Sequence, residues 1–421
     1  MPTGTEVLAL HGGPPAVTEP LPSFLRSSGR TLGEEEERLV LQTLRSGCLT
    51  RNGGTMVKRL EQEFAAKLGS AHAVACSSGS AAVHLAVAAL DPEPEDEFIV
   101  PPITDMGSIL PVLWQNCVPV FADVDPGTMT LDPESVRRHI TPRTRAIIAV
   151  HLAGQPCDLR ALRAIADQHR IVLIEDCAQA YWAEYNGKLM GATGDLASFS
   201  LQQSKHISCG EGGLLVTSNT DWARRALLFS DKAWPRDTAA LGSWRFLFLS
   251  QNYRMSELQG AVALAQLGKI EDVVERRRRR ANELSTLIRD VRGVSPPPVP
   301  DQTNPSWWMY MLRVRPEELK ASTREFGEAL IAEGVPGWVE YIVDPLYRSP
   351  VFAERKTYGT SGFPFNSPTA QDFAPGLCPN AERCLSQVVA LHWNENFTPA
   401  HVEQIAAAII KVAAHFGERR R

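Results

Sequence analysis

A single lysine separates an apolar run from a glycine-rich turn in the stretch SFSLQQSKHISCGEGG, residues 198–213. Lys205 therefore lies in sequence typical of a protein interior, where a lysine is rarely found unless it is paired or chemically committed. Considered alone, a lysine that precedes a glycine-rich turn is typical of a surface loop. A lysine amine that is partly neutral near pH 7 can attack a carbonyl carbon, so Lys205 is a candidate nucleophile.

A carboxylate follows a second apolar run, IVLIEDCAQA, residues 171–180. Asp176 comes just past the carboxyl end of a predicted buried strand. One acid after one strand commonly caps a turn. Beside a heterocyclic nitrogen, however, a carboxylate in this position would keep that nitrogen protonated, because opposite charges attract strongly away from water.

A third stretch, HAVACSSGS, residues 72–80, ends a predicted strand in small residues just before a helical pattern. The free N–H groups and the positive end of a helix bind anions, and Gly79 allows a close approach of the backbone. The simpler interpretation of this stretch is an ordinary helix cap. No GxGxxG or GxxxxGK[ST] motif supports a dinucleotide or a P-loop site.

Together the three features supply what pyridoxal phosphate requires. A helix start would anchor its phosphate, an acid would face its ring nitrogen, and an amine would react with its aldehyde. The sequence therefore predicts a pyridoxal phosphate enzyme in which Lys205 and Asp176 are the catalytic residues.

Short apolar runs alternate with helical patterns from about residue 57 onward. This alternation is typical of buried parallel strands joined by crossover helices. We predict an α/β fold, with a mostly parallel central sheet flanked by helices and a ligand site at the carboxyl ends of the strands. We predict a large cofactor-binding domain with an N-terminal arm over residues 1–274, and a smaller C-terminal α+β domain over residues 275–421.

The composition argues against several other functional classes. The chain has 421 residues and a formal net charge of −5, so neither nucleic acid nor a membrane is an expected partner. Its eight cysteines contain no CxxC pair, so no metal site is predicted and a reducing compartment is favoured. The first residues lack the pattern of a signal peptide, and we expect a cytoplasmic protein.

The motifs EDCAQA and SxxxxKxxxxGEGG resemble those of the DegT/StrS-type sugar aminotransferases, which belong to fold type I of the pyridoxal phosphate enzymes. The similarity begins at LALHGGPPAV, continues to NYRMSELQGAVALAQL and fades in the C-terminal domain. It implies transfer of an amino group from L-glutamate or L-glutamine to a keto-sugar or keto-cyclitol. Such reactions belong to aminosugar, aminocyclitol or antibiotic biosynthesis.

The resemblance also implies roles for individual residues. Lys205 corresponds to the lysine that forms the Schiff base, Asp176 to the partner of the ring nitrogen, and Gln179 to a polar residue beside the ring. The phosphate contacts correspond to Gly79, Ser80 and Ser200.

Three further implications concern the edges of the site. Asn252 corresponds to an asparagine that reaches the neighbouring subunit's phosphate, which implies an obligate homodimer. Asp105, in PPITDMGS, occupies a cofactor-binding position at which the family usually has an aromatic ring stacked on the cofactor. Tyr341 and His392 are candidates for lining the acceptor pocket, although both are equally compatible with a packing role.

Two alternative functions stay open at this point. One is a related pyridoxal phosphate enzyme that does not transaminate, such as a dehydratase or an aminohydroxybenzoate-type aromatising synthase. The other is a cofactor-binding regulator without catalysis. A related dehydratase branch has histidine in place of the lysine, so Lys205 favours the aminotransferase branch, and the complete set of three features argues against a regulator.

Overall fold

The computed structural model describes residues 7–236, 245–366 and 370–418. The α-helices of these ranges are α1 (Glu34–Ser46), α2 (Met56–Leu68), α3 (Gly79–Ala89), α4 (Leu110–Trp114), α5 (Pro133–Arg138), α6 (Leu159–His169), α7 (Thr220–Phe229), α8 (Glu257–Leu267), α9 (Ile270–Ile288), α10 (Pro316–Leu319), α11 (Thr323–Ala332), α12 (Pro350–Ala353), α13 (Pro379–Leu385) and α14 (Pro399–Glu418). The strands are β1 (His72–Cys76), β2 (Glu97–Val100), β3 (Val118–Phe121), β4 (Thr144–Val150), β5 (Val172–Asp176), β6 (Glu184–Tyr185), β7 (Lys188–Leu189), β8 (Leu196–Ser200), β9 (Gly213–Thr217), β10 (Val294–Ser295), β11 (Thr303–Asn304), β12 (Met309–Val314), β13 (Gly337–Trp338) and β14 (Val388–His392).

A seven-stranded sheet in the order β1-β9-β8-β5-β4-β2-β3 forms the centre of the larger part. The five strands from β8 to β3 in this order pair in parallel, whereas β9 runs antiparallel to both β8 and β1. The strands are continuous apolar runs because helices cover both faces of the sheet. The predicted α/β fold with a mostly parallel central sheet is confirmed.

Helix α3 directly follows β1 in the larger part of the structure. Its residues from Ala81 to Ala89 are all buried, and it packs between the sheet and α7. A helix that is apolar all round must be enclosed in this way. Its beginning is fixed by Ser78, whose hydroxyl oxygen accepts a hydrogen bond from the Ala81 N–H at 3.1 Å. The packing of α3 therefore holds its N-terminus at the carboxyl ends of the strands.

A second, antiparallel sheet lies in the C-terminal part, in the order β10-β12-β14-β13. Helices α9, α11 and α14 share an apolar core with it. Helix α9 crosses the predicted domain boundary at residue 274, since it runs from Ile270 to Ile288. The division into two domains at that residue stays a prediction. In the described ranges, no helix is both long enough and apolar enough to cross a membrane.

Candidate active site

A cavity of about 540 Å³ opens at the carboxyl ends of the central strands. Its walls come from the loops after β1, β2, β5 and β8 and from the C-terminal sheet region. Open α/β sheets bind ligands at this edge. The cavity brings together eight residues that the sequence singled out, namely Gly79, Ser80, Asp105, Asp176, Gln179, Ser200, Lys205 and Tyr341.

Lys205 lies on the turn after β8 and is 9% exposed. Its carbonyl oxygen accepts a hydrogen bond from the Arg30 guanidinium at 2.8 Å, which fixes the turn. Its Nζ lies 4.1 Å from the centroid of the Trp308 ring. Burial lowers the pKa of Lys205 to about 8, although the charges of Asp176 and Asp105 oppose this shift. Part of the lysine population is therefore a neutral nucleophile near neutral pH.

Asp176 ends β5 and is 4% exposed. One carboxylate oxygen accepts a hydrogen bond from the Ser108 hydroxyl at 2.7 Å. The other accepts from the Ala178 N–H at 3.0 Å. Two donors therefore hold the carboxylate in one orientation at the cavity wall, as a partner for a protonated ring nitrogen must be held.

A second layer of polar contacts lies behind Asp176. The Glu175 carboxylate is fully buried and accepts hydrogen bonds from the N–H groups of Gly191 at 2.7 Å and Thr193 at 2.9 Å. His151 Nε2 lies 2.9 Å from the same carboxylate. The backbone N–H of His151 donates a hydrogen bond to the Asp176 carbonyl oxygen at 3.1 Å. This network fixes the end of β5 from behind the site.

The N-terminus of α3 forms a cradle for an anion. A Cβ atom on Gly79 would lie 2.6 Å from the Ser200 Cβ, so only glycine permits this approach of the two backbones. A Cβ atom on Gly107 would lie 2.3 Å from the Ser80 Oγ. Backbone N–H groups and the hydroxyls of Ser80 and Ser200 thus surround a space beside the helix end, which is the donor set that a phosphate prefers. The cradle, Asp176 and Lys205 fit pyridoxal phosphate.

Gln179 links the two parts of the chain across the cavity. Its Oε1 accepts from the Ala153 N–H at 2.7 Å, and its Nε2 donates to the Tyr341 hydroxyl at 3.0 Å. Burial raises the pKa of Tyr341 above its ordinary value, so the hydroxyl stays protonated and retains its own hydrogen for a ligand.

Two predicted site residues lie outside the cavity wall. His392 packs between Phe24, at 5.3 Å between ring centroids, and Trp338, at 4.7 Å. Trp338 lines the cavity. His392, at the end of β14, does not line it, because the rings of Phe24 and Trp338 cover its side chain. Asn252 is exposed and forms an isolated bridge with Asp231.

Sequence reasoning missed several residues of the wall. Ser108 lies in the quoted stretch PPITDMGS, but its contact with Asp176 spans 68 positions and has no local signal. Trp308, Trp338 and Glu340 come from the C-terminal part, where aromatic residues in strand-like sequence indicate core packing as readily as a site. Trp308 places an aromatic ring 4.1 Å from Lys205 Nζ, while the family's usual position for an aromatic residue holds Asp105.

The chain belongs to the DegT/DnrJ/EryC1/StrS aminotransferase family, whose sequence model matches residues 30–410. It is a pyridoxal phosphate-dependent aminotransferase, and pyridoxal phosphate is its cofactor. The resemblance found in the motifs is thereby confirmed.

Several relatives cover most of the chain. It is 33% identical over 430 residues to L-glutamine:2-deoxy-scyllo-inosose aminotransferase of Streptoalloteichus tenebrarius, which covers 98% of this chain and 99% of the relative. It is 34% identical over 348 residues to the spore coat polysaccharide biosynthesis protein SpsC of Bacillus subtilis, with 81% of this chain and 88% of the relative covered. The solved structure of 3-amino-5-hydroxybenzoic acid synthase is similar with a TM-score of 0.81 and 29% identity, covering 91% of this chain and 97% of that one.

Proposed function

We propose that this aminotransferase moves an amino group from L-glutamine or L-glutamate to a keto-sugar or keto-cyclitol. The observation that carries the proposal is the buried Lys205 amine, which lies in the same cavity as Asp176 and the anion cradle. The cavity of about 540 Å³ has room for a cofactor and a single-ring substrate, within the usual size range of ligand sites. The inosose aminotransferase among the relatives supports a cyclitol acceptor.

The reaction exchanges one amine for one ketone. The donor carbon loses its amino group and its hydrogen and becomes the carbonyl carbon of a 2-oxo acid, whose oxygen comes from water. The acceptor carbonyl carbon gains the amino group and a hydrogen, and its oxygen leaves as water. Bound pyridoxal phosphate supplies the electron sink for both halves.

Each residue of the site has a defined task in this exchange. The neutral amine of Lys205 takes the proton from the donor carbon and in the second half returns a proton to the acceptor carbon. Asp176 keeps the ring nitrogen protonated, so that negative charge can spread into the ring. The hydroxyls of Ser80 and Ser200, with the N-terminus of α3, bind the phosphate.

An aromatising synthase is the second candidate function. The likeness to 3-amino-5-hydroxybenzoic acid synthase favours it, with a TM-score of 0.81. Such an enzyme would eliminate water from its ring substrate without consuming an amino donor. The two functions therefore differ in whether an amino acid donor converts the bound cofactor to its aminated form.

The test is a half-reaction on the holoenzyme. We expect L-glutamine or L-glutamate to convert the absorbance of the bound cofactor to that of its aminated form, with release of one 2-oxo acid per site. A keto-cyclitol or keto-sugar should then restore the original absorbance. Lys205→Ala is the matched control and should show neither change. A holoenzyme that no amino acid converts would contradict transamination.

We also propose a homodimeric, cytoplasmic enzyme in which Asn252 contacts the neighbouring subunit's phosphate. The exposed position of Asn252, outside the cavity wall of its own subunit, supports this arrangement. A site built from two subunits would be incomplete in a monomer.

A further inference from the structure

One arginine is the largest fully enclosed side chain among the described residues. Arg277, in the middle of α9, is 1% exposed, whereas an arginine is almost never fully buried unless it is paired. Its Nε donates to the Glu395 carboxylate at 2.9 Å, and its Nη2 lies 2.7 Å from the same oxygen. Replacing a buried ion pair by apolar residues is often neutral or stabilising, so stability alone does not account for this pair.

The third guanidinium nitrogen of Arg277 binds main-chain carbonyls that border the cavity. Nη1 donates to the carbonyl oxygens of Trp393 at 2.9 Å, Trp307 at 3.1 Å and Trp308 at 3.3 Å. Trp307 and Trp308 directly precede β12, Trp393 directly follows β14, and these two strands pair with each other. Arg277 therefore joins the strands at the end where Trp308 enters the cavity wall.

The backbone at Trp307 is strained. Its φ is 55°, in the left-handed region where a bulky residue is an outlier, and such strain persists only where the surroundings impose it. The two neighbouring rings have different surroundings. Trp307 is stacked on Tyr310 in the C-terminal core, with 5.5 Å between the ring centroids, whereas Trp308 lines the cavity. The contacts of Arg277 with both carbonyls stabilise the backbone conformation that separates the two rings.

Two further hydrogen bonds fix Trp308. Its backbone N–H donates to the Ala153 carbonyl at 2.9 Å, and its indole N–H donates to the Ser204 carbonyl at 2.9 Å. Ser204 directly precedes Lys205, whose Nζ lies 4.1 Å from the centroid of the ring. A displacement of the Trp308 backbone would therefore change the position of the ring relative to the lysine amine.

We propose that Arg277 is a positioning residue for Lys205: from outside the cavity wall, it holds the Trp308 ring over the lysine amine. The inference rests on the role proposed for Lys205 and adds a residue that acts on it through another. The ring favours the ammonium form, and burial favours the neutral form. A group that takes a proton and later returns it works best when both forms are accessible near the working pH, so the position of the ring affects both proton transfers.

The other ionisable groups around Lys205 come from several elements. On the cavity wall they are Asp176 at the end of β5, Asp105 after β2, Glu211 before β9, and Glu340 and Tyr341 after β13. Behind the lysine lie Arg30, which binds its carbonyl oxygen, and His206, whose pKa is lowered by burial. Arg277→Lys keeps the number and sign of these charges. A change in the protonation of Lys205 in that variant therefore reports the ring and not a lost charge.

The experiment compares apoenzyme variants in the absence of an amino donor. Stopped-flow absorbance measures the rate at which each apoenzyme captures pyridoxal phosphate between about pH 5.5 and 10.5, with Lys205→Ala as the blank. The titration of the cofactor itself is common to all variants, so a difference in the midpoint belongs to the protein. A lysine ammonium lacks the fork geometry of the guanidinium and cannot hold Glu395 and three carbonyls at once. We expect Arg277→Lys to lower the midpoint by about half a pH unit or more.

The decisive comparison removes the ring. In a Trp308→Leu background, Arg277→Lys should cause no further displacement of the midpoint, because the contact through which Arg277 acts is absent. Arg276→Lys is the matched control. It makes the same substitution one position earlier, where the described partners are Asp272 at 2.9 Å and Asn396 at 3.1 Å, and it should keep the midpoint of the unmodified chain.

Gly154→Ala displaces the same segment without changing a charge. A Cβ atom on Gly154 would lie 2.5 Å from the Trp307 backbone nitrogen and 3.0 Å from that of Trp308, so the segment must shift and the midpoint should again fall. This variant decides the question if Arg277→Lys gives too little folded apoenzyme, and an unchanged midpoint in it would count against the proposal.

An unchanged or raised midpoint in Arg277→Lys would overturn the proposal. So would an equal displacement with and without Trp308, or in Arg276→Lys, because the effect would then not pass through the ring. Failure of the proposed transamination gives a different result: glutamine and glutamate would leave the holoenzyme absorbance unchanged, while the midpoint of cofactor capture could still be measured. Capture by Lys205→Ala at the rate of the unmodified chain would instead contradict the role of the lysine itself.

Discussion

We attribute the proposed reactivity of Lys205 to its burial. Since burial lowers its pKa to about 8, we expect the rate at which apoenzyme captures pyridoxal phosphate to rise with pH and to level off above a midpoint near 8. A solvated lysine would instead have its midpoint near 10.4. Stopped-flow absorbance between pH 6.5 and 10.5 measures this rate. A midpoint above pH 9.5 would show that the lysine is solvated in the apoenzyme.

Trp308 affects the protonation of Lys205 in the direction opposite to that of burial, because its ring stabilises the ammonium form 4.1 Å away. Trp308→Leu should therefore move the midpoint to lower pH. Trp338→Leu is the matched control, since Trp338 lines the same cavity and Lys205 Nζ does not lie over it. The same displacement in both variants would mean that general loss of packing, and not the cation–π contact, sets the midpoint.

Asp176 is expected to affect chemistry more than binding. Asp176→Asn preserves size but removes the charge that we propose keeps the ring nitrogen protonated, so proton removal from the donor should slow by about 10²- to 10⁴-fold. Exchange of the α-deuterium of labelled glutamine measures this step, and equilibrium dialysis measures cofactor retention. Ser108→Ala removes a single donor to the carboxylate and should have a smaller effect. An exchange rate in Asp176→Asn equal to that of the unmodified enzyme would exclude the electron-sink role.

Glu175 has a structural task that the neighbouring Asp176 does not share. Its buried carboxylate is surrounded by N–H donors, so Glu175→Gln would turn an amide N–H₂ group toward donors. We expect the free energy of unfolding to fall by about 3 kcal/mol, as for other broken buried charge networks. Urea denaturation of the apoenzyme measures this, with the exposed Glu93→Gln as the control. Unchanged stability would show that the network is dispensable.

At the scale of elements, the N-terminus of α3 has no room for an added methyl group at Gly79. Gly79→Ala would place a Cβ atom 2.6 Å from the Ser200 Cβ, so the cradle must open and cofactor affinity should fall by about tenfold or more. Gly33 also lies at a helix start, but a Cβ atom added to it would have no neighbour within 4 Å. Gly33→Ala should leave the dissociation constant of pyridoxal phosphate unchanged, and equal losses in both variants would locate the effect outside the cradle.

The sequence predicted the elements that carry local signals. The central strands were evident because a strand buried on both faces is a continuous apolar run, and the start of α3 was evident from small residues between a strand and a helical pattern. These signals predicted the α/β fold, which the structure confirms. The sequence also singled out Asp105, because the family usually has an aromatic residue at that position, and the structure places Asp105 in the cavity wall.

Contacts between distant segments have no such signal. Trp308 approaches Lys205 only because β12 and the turn after β8 meet, and its indole N–H donates to the Ser204 carbonyl at 2.9 Å across 104 positions of sequence. Nothing in WWMYMLRV distinguishes that tryptophan from a core residue. His392 was expected at the cavity wall for its chemistry, but the neighbouring Trp338 covers it.

At the scale of the whole molecule, the cavity depends on parts that are far apart in the chain. The N-terminal segment contributes Arg30, which holds the Lys205 turn, and β5 contributes Asp176. The C-terminal part contributes Trp338, Glu340 and Tyr341. The elements that carry Lys205 and Asp176 and the wall that we propose faces the acceptor thus come from different regions of the chain. Changes in that wall can therefore alter the acceptor without altering the lysine.

The proposed dimer can be tested by mixing two inactive variants. Each site would use its own Lys205 and the partner subunit's Asn252. In a dimer of Lys205→Ala with Asn252→Ala, one site then lacks both residues and the other is intact. Random reassociation of equal amounts should restore about a quarter of the unmodified activity, because half of the dimers are mixed and each has one complete site of two. If Asn252 acted within its own subunit, no pairing of the variants would place Lys205 and Asn252 in one site. At a limiting concentration of cofactor, the mixture would then be as inactive as either variant alone.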